Sequence, residues 1–456
     1  MLYLNKLMLD IQFIRENSEK VKKGVAAKQL DPKLVDKVLE LDAKYRKLLG
    51  EVENLRSERN KAAQEKDIEK GKKVKSELQK KEPEFKKVEE EYKDAVNQIP
   101  NLPADDVPEG KDERENKVTR KWSPSSEASA YQGGEPKKFS AKGGPASGWD
   151  FKPKDHLELG EALDIIDVKV ASKVTGARFG YLKGDAALLE FALIQHAFSV
   201  LTNSDELKKI ADKVKEGYSS KPFIPIVPPV MVRPDVFGKM ARLEPKEERY
   251  YIKSDDLYLI GSAEHTLGPM HMDEVLPEKN LPLRYVGFST SFRREAGTYG
   301  KDTKGILRVH QFDKVEMESF TTPEDSDKEQ DFFVAIQEYL MQSLEIPYQI
   351  VMICTGDMGA PDYRQIDLEA WLPGEGKYRE THTSDNMTDY QARRLNTRVQ
   401  TKSKTEFVHM NDATAFAVGR TIIAILENYQ QKDGSILIPK VLQKWVGKDK
   451  ITSGAS

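Results

Sequence analysis

A hydrophobic repeat that alternates four- and three-residue steps governs the first hundred positions. Leu34, Val38, Leu41, Tyr45, Leu48, Val52, Leu55, Arg59 and Ala62 follow it without a break. Val74, Leu78, Lys81, Phe85, Val88, Tyr92, Ala95 and Ile99 then take it up again. A period of about 3.5 residues held this long is the mark of a coiled-coil seam. Two seams separated by the polar stretch 66–73, with Gly71 inside it, predict an antiparallel helical hairpin. Each arm spans roughly 40 Å at about 1.5 Å per residue. Pro83 lies inside the second arm, where a proline removes a helical hydrogen bond, so a bend is expected there. The prolines of Ile99-Pro100-Asn101-Leu102-Pro103 end that helix.

A charged hairpin is most simply a spacer or a dimerisation rod. Between Lys66 and Lys81, however, seven lysines stand against Asp67, Glu69 and Glu77, and a basic tip suits a phosphate backbone. Over the 456 residues, 72 Lys and Arg oppose 75 Asp and Glu, a net charge of −3, so any nucleic-acid surface must be local. A charged fraction of 32% and a mean hydropathy of −0.63 describe a soluble protein. No apolar run approaches the roughly 18 residues of a membrane span, and the start lacks the apolar stretch of a signal peptide. The single cysteine, Cys354, forbids an intramolecular disulfide and fits a reducing cytoplasm. Its apolar setting, Ile350 to Cys354, reads as core filler rather than nucleophile.

The length allows two or three domains. The expected division is a helical hairpin over 1–111, a Gly/Pro/Ser/Lys-rich linker over 112–155 and a mixed α/β domain over 156–456. In the last, Phe223–Val227, Leu257–Ile260 and Tyr348–Val351 read as strands. Ala186–Val200, Ser326–Leu344 and Ala413–Tyr429 read as amphipathic helices. Strands outnumber those of a parallel βαβ repeat, and no glycine fingerprint for a nucleotide is present.

The chemistry concentrates in four segments. Phe292-Arg293-Arg294-Glu295-Ala296-Gly297-Thr298-Tyr299-Gly300, followed by Leu307–Glu318, puts two arginines and a carboxylate before a Gly-punctuated loop and a return strand. The others are Tyr258–Glu264, Tyr378–Asn386, and Asn411–Thr421 with Glu427-Asn428-Tyr429-Gln430. Arginine is the best permanent fork for phosphate and carboxylate, and a reaction joining two anions needs positioning and charge rather than a nucleophile.

In order and spacing these segments resemble the class II aminoacyl-tRNA synthetases, in the form used by seryl-tRNA synthetases. The first is similar to motif 2, the last to motif 3, and Pro225–Arg233 to motif 1, which in this class builds a dimer interface. Leu157–Glu161 and Phe179–Asp185 extend the resemblance over most of the chain outside the linker. It implies an α+β fold, in which the hairpin precedes a catalytic domain built on a mostly antiparallel sheet flanked by helices. It further implies ATP with Mg²⁺, L-serine and tRNA(Ser) as partners, and a homodimer.

Residue by residue, the resemblance gives Arg293 the α-phosphate and the substrate carboxylate, Glu295 the adenine amino group, and Phe312 the adenine ring. Arg420 would reach the outer phosphates, and Glu380 with Thr383 would hold Mg²⁺ with ATP. Arg293, Glu380 and Arg420 are therefore the catalytic candidates. Arg294, Val309, Thr381 and His382 fall within the ATP-binding segments. Taken alone, Arg294 is an ordinary surface arginine, and His382, with no Cys or His at metal spacing, reads as structural. Ser262, Ala263, Glu264, Glu316 and Thr414, with Arg293, would line the serine pocket. Three departures stand out: Ser262 for the usual threonine, Thr383 for a serine, and Asp412 for an asparagine.

Only 29 residues follow Glu427, too few for an anticodon-binding domain, which leaves the basic hairpin as the expected tRNA contact. The competing readings are a carrier-protein ligase, which lacks such an arm, and a non-catalytic RNA-binding paralogue, which would lose Arg293, Glu380 or Arg420. Some members of the family also charge selenocysteine tRNA, and the sequence leaves that open.

Overall fold

The computed structural model describes residues 10–124, 151–296 and 304–454. Most of the expected linker and the Gly-punctuated loop from Gly297 onward lie outside the described residues. The hairpin is present as α3 (Lys33–Gln64) and α4 (Ile68–Asn97), preceded by two short helices, α1 (Ile11–Glu16) and α2 (Ser18–Ala27). Its turn is tighter than the sequence suggests. Lys66 takes φ 57°, and Asp67 caps α4 by accepting from the Lys70 amide, so Gly71 is already helical. Pro83 does not interrupt α4. It sits on the exposed face, where the carbonyl it leaves without a helical donor is open to water.

Of the expected seam, Val38, Tyr45, Leu48, Val52 and Ala62 are buried against Val74, Leu78, Val88, Tyr92 and Ala95, while Arg59 stays exposed. Tyr45 lies between Phe85 and Tyr92, each ring 5.4 Å away. At the base, α1 and α2 add Ile14, Val21 and Val25 to this core. Arg15 grips the buried Asp42 at 2.8 and 2.6 Å, with Arg46 at 3.1 Å. The period-based reading missed α1 and α2 because each is too short to show a repeat.

Among the described residues, eight strands form the main sheet: β1 (Lys117–Trp122), β2 (Ile224–Ile226), β3 (Leu283–Phe292), β4 (Gln311–Thr321), β5 (Tyr348–Met352), β6 (Arg364–Leu372), β7 (Lys377–Thr388) and β8 (His409–Ala417). Their order is β1-β5-β6-β7-β8-β4-β3-β2, antiparallel except for the β2–β3 edge. β1 lies inside the segment expected as linker, yet pairs with β5, and Trp122 stacks on Tyr348. The expected helix over 413–429 begins only at Val418, because residues 413–417 finish β8. That run is apolar in both periods, which is why the pattern alone misplaced its start.

Helices α5 (Asp185–Leu201), α6 (Ser326–Ser343) and α7 (Val418–Tyr429) cover one face of the sheet. Val315, Met317, Leu368, Ala370, Ala413 and Phe416 point into that core. One ion pair is locked within it. Arg284 on β3 and Glu329 on α6, both side chains fully buried, meet at two 2.7 Å contacts. The carbonyls of Ser219 and Lys221 accept from Nη1, and the Tyr218 hydroxyl donates to Glu329 at 2.6 Å. Such a pair is costly to break, because the surviving charge stays buried. Glu329→Ala should destabilise the sheet domain by about 3–5 kcal/mol. The urea midpoint of its unfolding reads this, and an unchanged midpoint contradicts it.

Candidate active site

The face of the sheet opposite these helices carries the polar side chains. Strand alternation sends Phe312, Lys314 and Glu316 of β4 to this face and Val315 and Met317 to the core. On β8 the same rule presents Asp412 and Thr414, and on β6 it presents Gln365 and Asp367. Two irregularities adjust the pattern. The β6–β7 register skips Thr381, since Leu368 faces His382 and Glu369 faces Glu380. That extra residue brings Glu380 to the same face as Thr383. The β4–β8 register skips Ala415, so Phe416 turns into the core while Thr414 remains in the site.

These residues line a cavity of about 300 Å³. At one end, the Arg293 guanidinium lies 5.3 Å from the Phe312 ring centroid, and its Nε donates to the Gly261 carbonyl at 3.3 Å. Glu295 accepts from Arg308 at 2.7 Å. Arg420 opens the helix after β8 and donates to the Glu380 carbonyl at 2.7 Å, with its carboxylate at 3.2 Å. Burial pushes the Glu380 carboxyl up, but Arg420 and Arg293 outweigh it and hold it below its ordinary value. Asp367 beside it goes the other way, raised well above the usual range by burial and then by Glu380.

The other end is small and acidic. Ser262 donates to Glu316 at 3.1 Å, and Lys314 meets Glu316 at 2.5 Å and Ser262 at 3.2 Å. Glu264 contacts Arg242 and His265, each at 3.1 Å. Carboxylate oxygens of Glu264, Glu316 and Asp412 all lie within 4.8 Å of one another. Burial raises Asp412, and the charges of Glu264 and Asp385 add to it.

Arg293, Glu295, Val309, Phe312, Glu380, Thr381, Thr383, Arg420, Glu264, Glu316 and Thr414 thus line one cavity. Ser262 stands behind Glu316, and Ala263 packs in the core behind it. Arg294 and His382 do not line it. Arg294 lies over the Tyr250 ring at 5.6 Å. His382 is buried on the far side of β7 against Phe416, bonded to Thr381 and held neutral, its pKa pushed down to about 3 by burial. Sequence reasoning gave no role to Lys314, Asp367 or Arg242. Alternation with Phe312 and Glu316 flags Lys314, and pairing across from Thr383 flags Asp367. No pattern flags Arg242.

Residues 8–103 match the seryl-tRNA synthetase N-terminal domain model, and residues 249–429 match the class II tRNA synthetase core domain model for G, H, P, S and T. A serine–tRNA ligase of Dictyoglomus turgidum is 42% identical over 97% of this chain and 99% of its own. The chain belongs to the seryl-tRNA synthetases. The seryl-tRNA synthetase of Pyrococcus horikoshii, solved as a complex with ATP, superposes with a TM-score of 0.84 at 39% identity, covering 98% of this chain and all of that one. The cytoplasmic serine–tRNA ligase of Naegleria fowleri, solved with AMP, gives 0.80 at 31% identity over 98% and 99%. The α+β architecture with an N-terminal hairpin expected from the sequence is therefore that of the family.

The β7 geometry carries its own test. With Glu380→Gln the neighbouring charge is gone, so the Asp367 carboxyl should titrate lower than in the native chain, read by carbon NMR of labelled aspartate. An unmoved Asp367 contradicts the shared face.

Proposed function

We infer that this chain activates L-serine with ATP and then transfers the seryl group to tRNA(Ser). What carries the reading is one cavity with a basic, aromatic end beside a small acidic end, on a chain that also bears the seryl-type arm. In the first step a serine carboxylate oxygen attacks the α-phosphorus of ATP and pyrophosphate leaves. Arg293 grips the α-phosphate and the substrate carboxylate together, drawing two anions to one point. Phe312 stacks on the adenine, Glu295 accepts from its amino group, and Arg420 takes the outer phosphates. In the second step a ribose hydroxyl of the terminal adenosine attacks the acyl carbon and AMP leaves.

The donor set fits a hard divalent ion: the ionised Glu380 carboxylate and the Thr383 hydroxyl are oxygen ligands on one face, beside Asp367. Mg²⁺ bound there with ATP supplies charge neutralisation across the phosphates. The amino-acid end takes the serine ammonium at Glu316 and Glu264 and its hydroxyl at Thr414. A site built to satisfy a hydroxyl rejects alanine and glycine strongly, since they leave its polar groups unpaired.

The arm grips the tRNA. Its tip exposes Lys66, Lys70, Lys72, Lys73, Lys75 and Lys80. Among the described residues no helix is long and apolar enough to cross a membrane, and tRNA charging sets the work in the cytoplasm. A second copy pairs along the motif 1 segment, where Ile224, Val227 and Met231 leave apolar surface exposed.

Removing Arg293 strips the phosphate grip, so Arg293→Ala should lower adenylate formation by at least about a hundredfold, the scale of one lost transition-state donor. Single-turnover formation of labelled seryl-adenylate measures it. Deleting residues 40–95 should spare that step and sharply weaken charging of tRNA(Ser). Equal loss of both would refute the division of labour between arm and sheet.

A further inference from the structure

Arg242 is the one residue at the acidic end whose part in the reaction follows from neither motif nor pattern. It leaves the short helix Pro234–Lys239 and runs under the cavity with 15% of its side chain exposed. Four carboxylates surround it. Nε meets Glu264 at 3.1 Å, and Nη2 meets Asp362 at 3.3 Å, Asp385 at 3.4 Å and Asp412 at 3.5 Å. Glu264, Asp385 and Asp412 line the cavity with it. Three oxygens of this end, from Glu264, Glu316 and Asp412, outline a niche for one cation. Arg242 holds two of those three residues, and Lys314 holds the third.

Buried carboxylates this close repel one another and drift toward protonation, and a cation among them opposes that drift. An arginine suits the task because it stays charged and offers five donors in a fixed fork. We propose that Arg242 is a positioning residue for the amino-acid substrate. It fixes Glu264, Asp385 and Asp412 around the niche that takes the serine ammonium, without itself touching the phosphates. Asp412, which stands where the family usually has asparagine, belongs to this arrangement: the extra carboxylate has Arg242 as its counter-charge. The proposal rests on serine being the substrate of this cavity.

The test is steady-state ATP–pyrophosphate exchange by the full chain and its R242M, R242K and R242M/D412N variants. R242M should raise the serine KM by about tenfold or more, the scale of a lost charged hydrogen bond, and leave the ATP KM unchanged. Adding D412N should recover part of that loss, because it removes a carboxylate that no longer has a counter-charge. A merely structural arginine would raise both KM values together and gain nothing from D412N. An unchanged serine KM, or a parallel rise in both constants without rescue, overturns the proposal. Should R242M fail to fold, R242K decides: it keeps the charge and loses the fork, so a raised serine KM alone supports the role and native constants overturn it. Absence of serine exchange in the unaltered chain would instead remove the functional reading, and this proposal with it.

Discussion

The pairing of β4 with β8, and of β7 with β6, is the constraint on which the site depends. Each strand must bury one face under α6 and α7, so every second side chain is committed to the core. The remaining faces then stand side by side, and residues scattered from Phe312 to Thr414 become neighbours. One-residue bulges at Thr381 and Ala415 decide which face the flanking residues take. Without the first, Glu380 would point away from Thr383. A single register slip would bury the charges and expose Val315 and Met317.

Charge organises what alternation collects. The cavity has a basic end, with Arg293, Arg308 and Arg420, and an acidic end balanced by Lys314 and Arg242. The three arginines at one end and the buried carboxylates at the other are the charges that the proposed function assigns to a triphosphate and a small ammonium. The base of the arm reaches the acidic end at the loop 359–362. Lys28 of the base donates to the carbonyls of Gly359, Ala360 and Asp362, while the Asp362 carboxylate meets Arg242. Asn101, just past α4, donates to the Pro361 and Met387 carbonyls. Burial lowers the Lys28 pKa to about 8, the cost of anchoring that joint with an ammonium.

Legibility in the sequence followed the length of each pattern. Seventeen seam positions announced the hairpin, while α1 and α2, one to three turns each, carried too few apolar positions to register. The motif 2 and motif 3 segments gave most of the cavity through their resemblance to the family, not through any strand alternation read from them. What they could not give was anything set by pairing between distant strands. Asp367 joins the site only through its partner Thr383, and β1 was hidden in a polar, Lys-rich stretch that becomes a strand only by pairing with β5. Arg242 is a single charged residue whose four partners come from four separate segments, a relation no local pattern encodes. His382 and Arg294 show the converse: position within a matching segment did not bring them to the cavity.

The most direct test of the central claim is ATP–pyrophosphate exchange by the native chain, with each of the twenty amino acids offered separately and no tRNA present. Exchange should be driven by serine, with alanine and glycine far behind. Exchange driven by another amino acid, or by none, would contradict that claim.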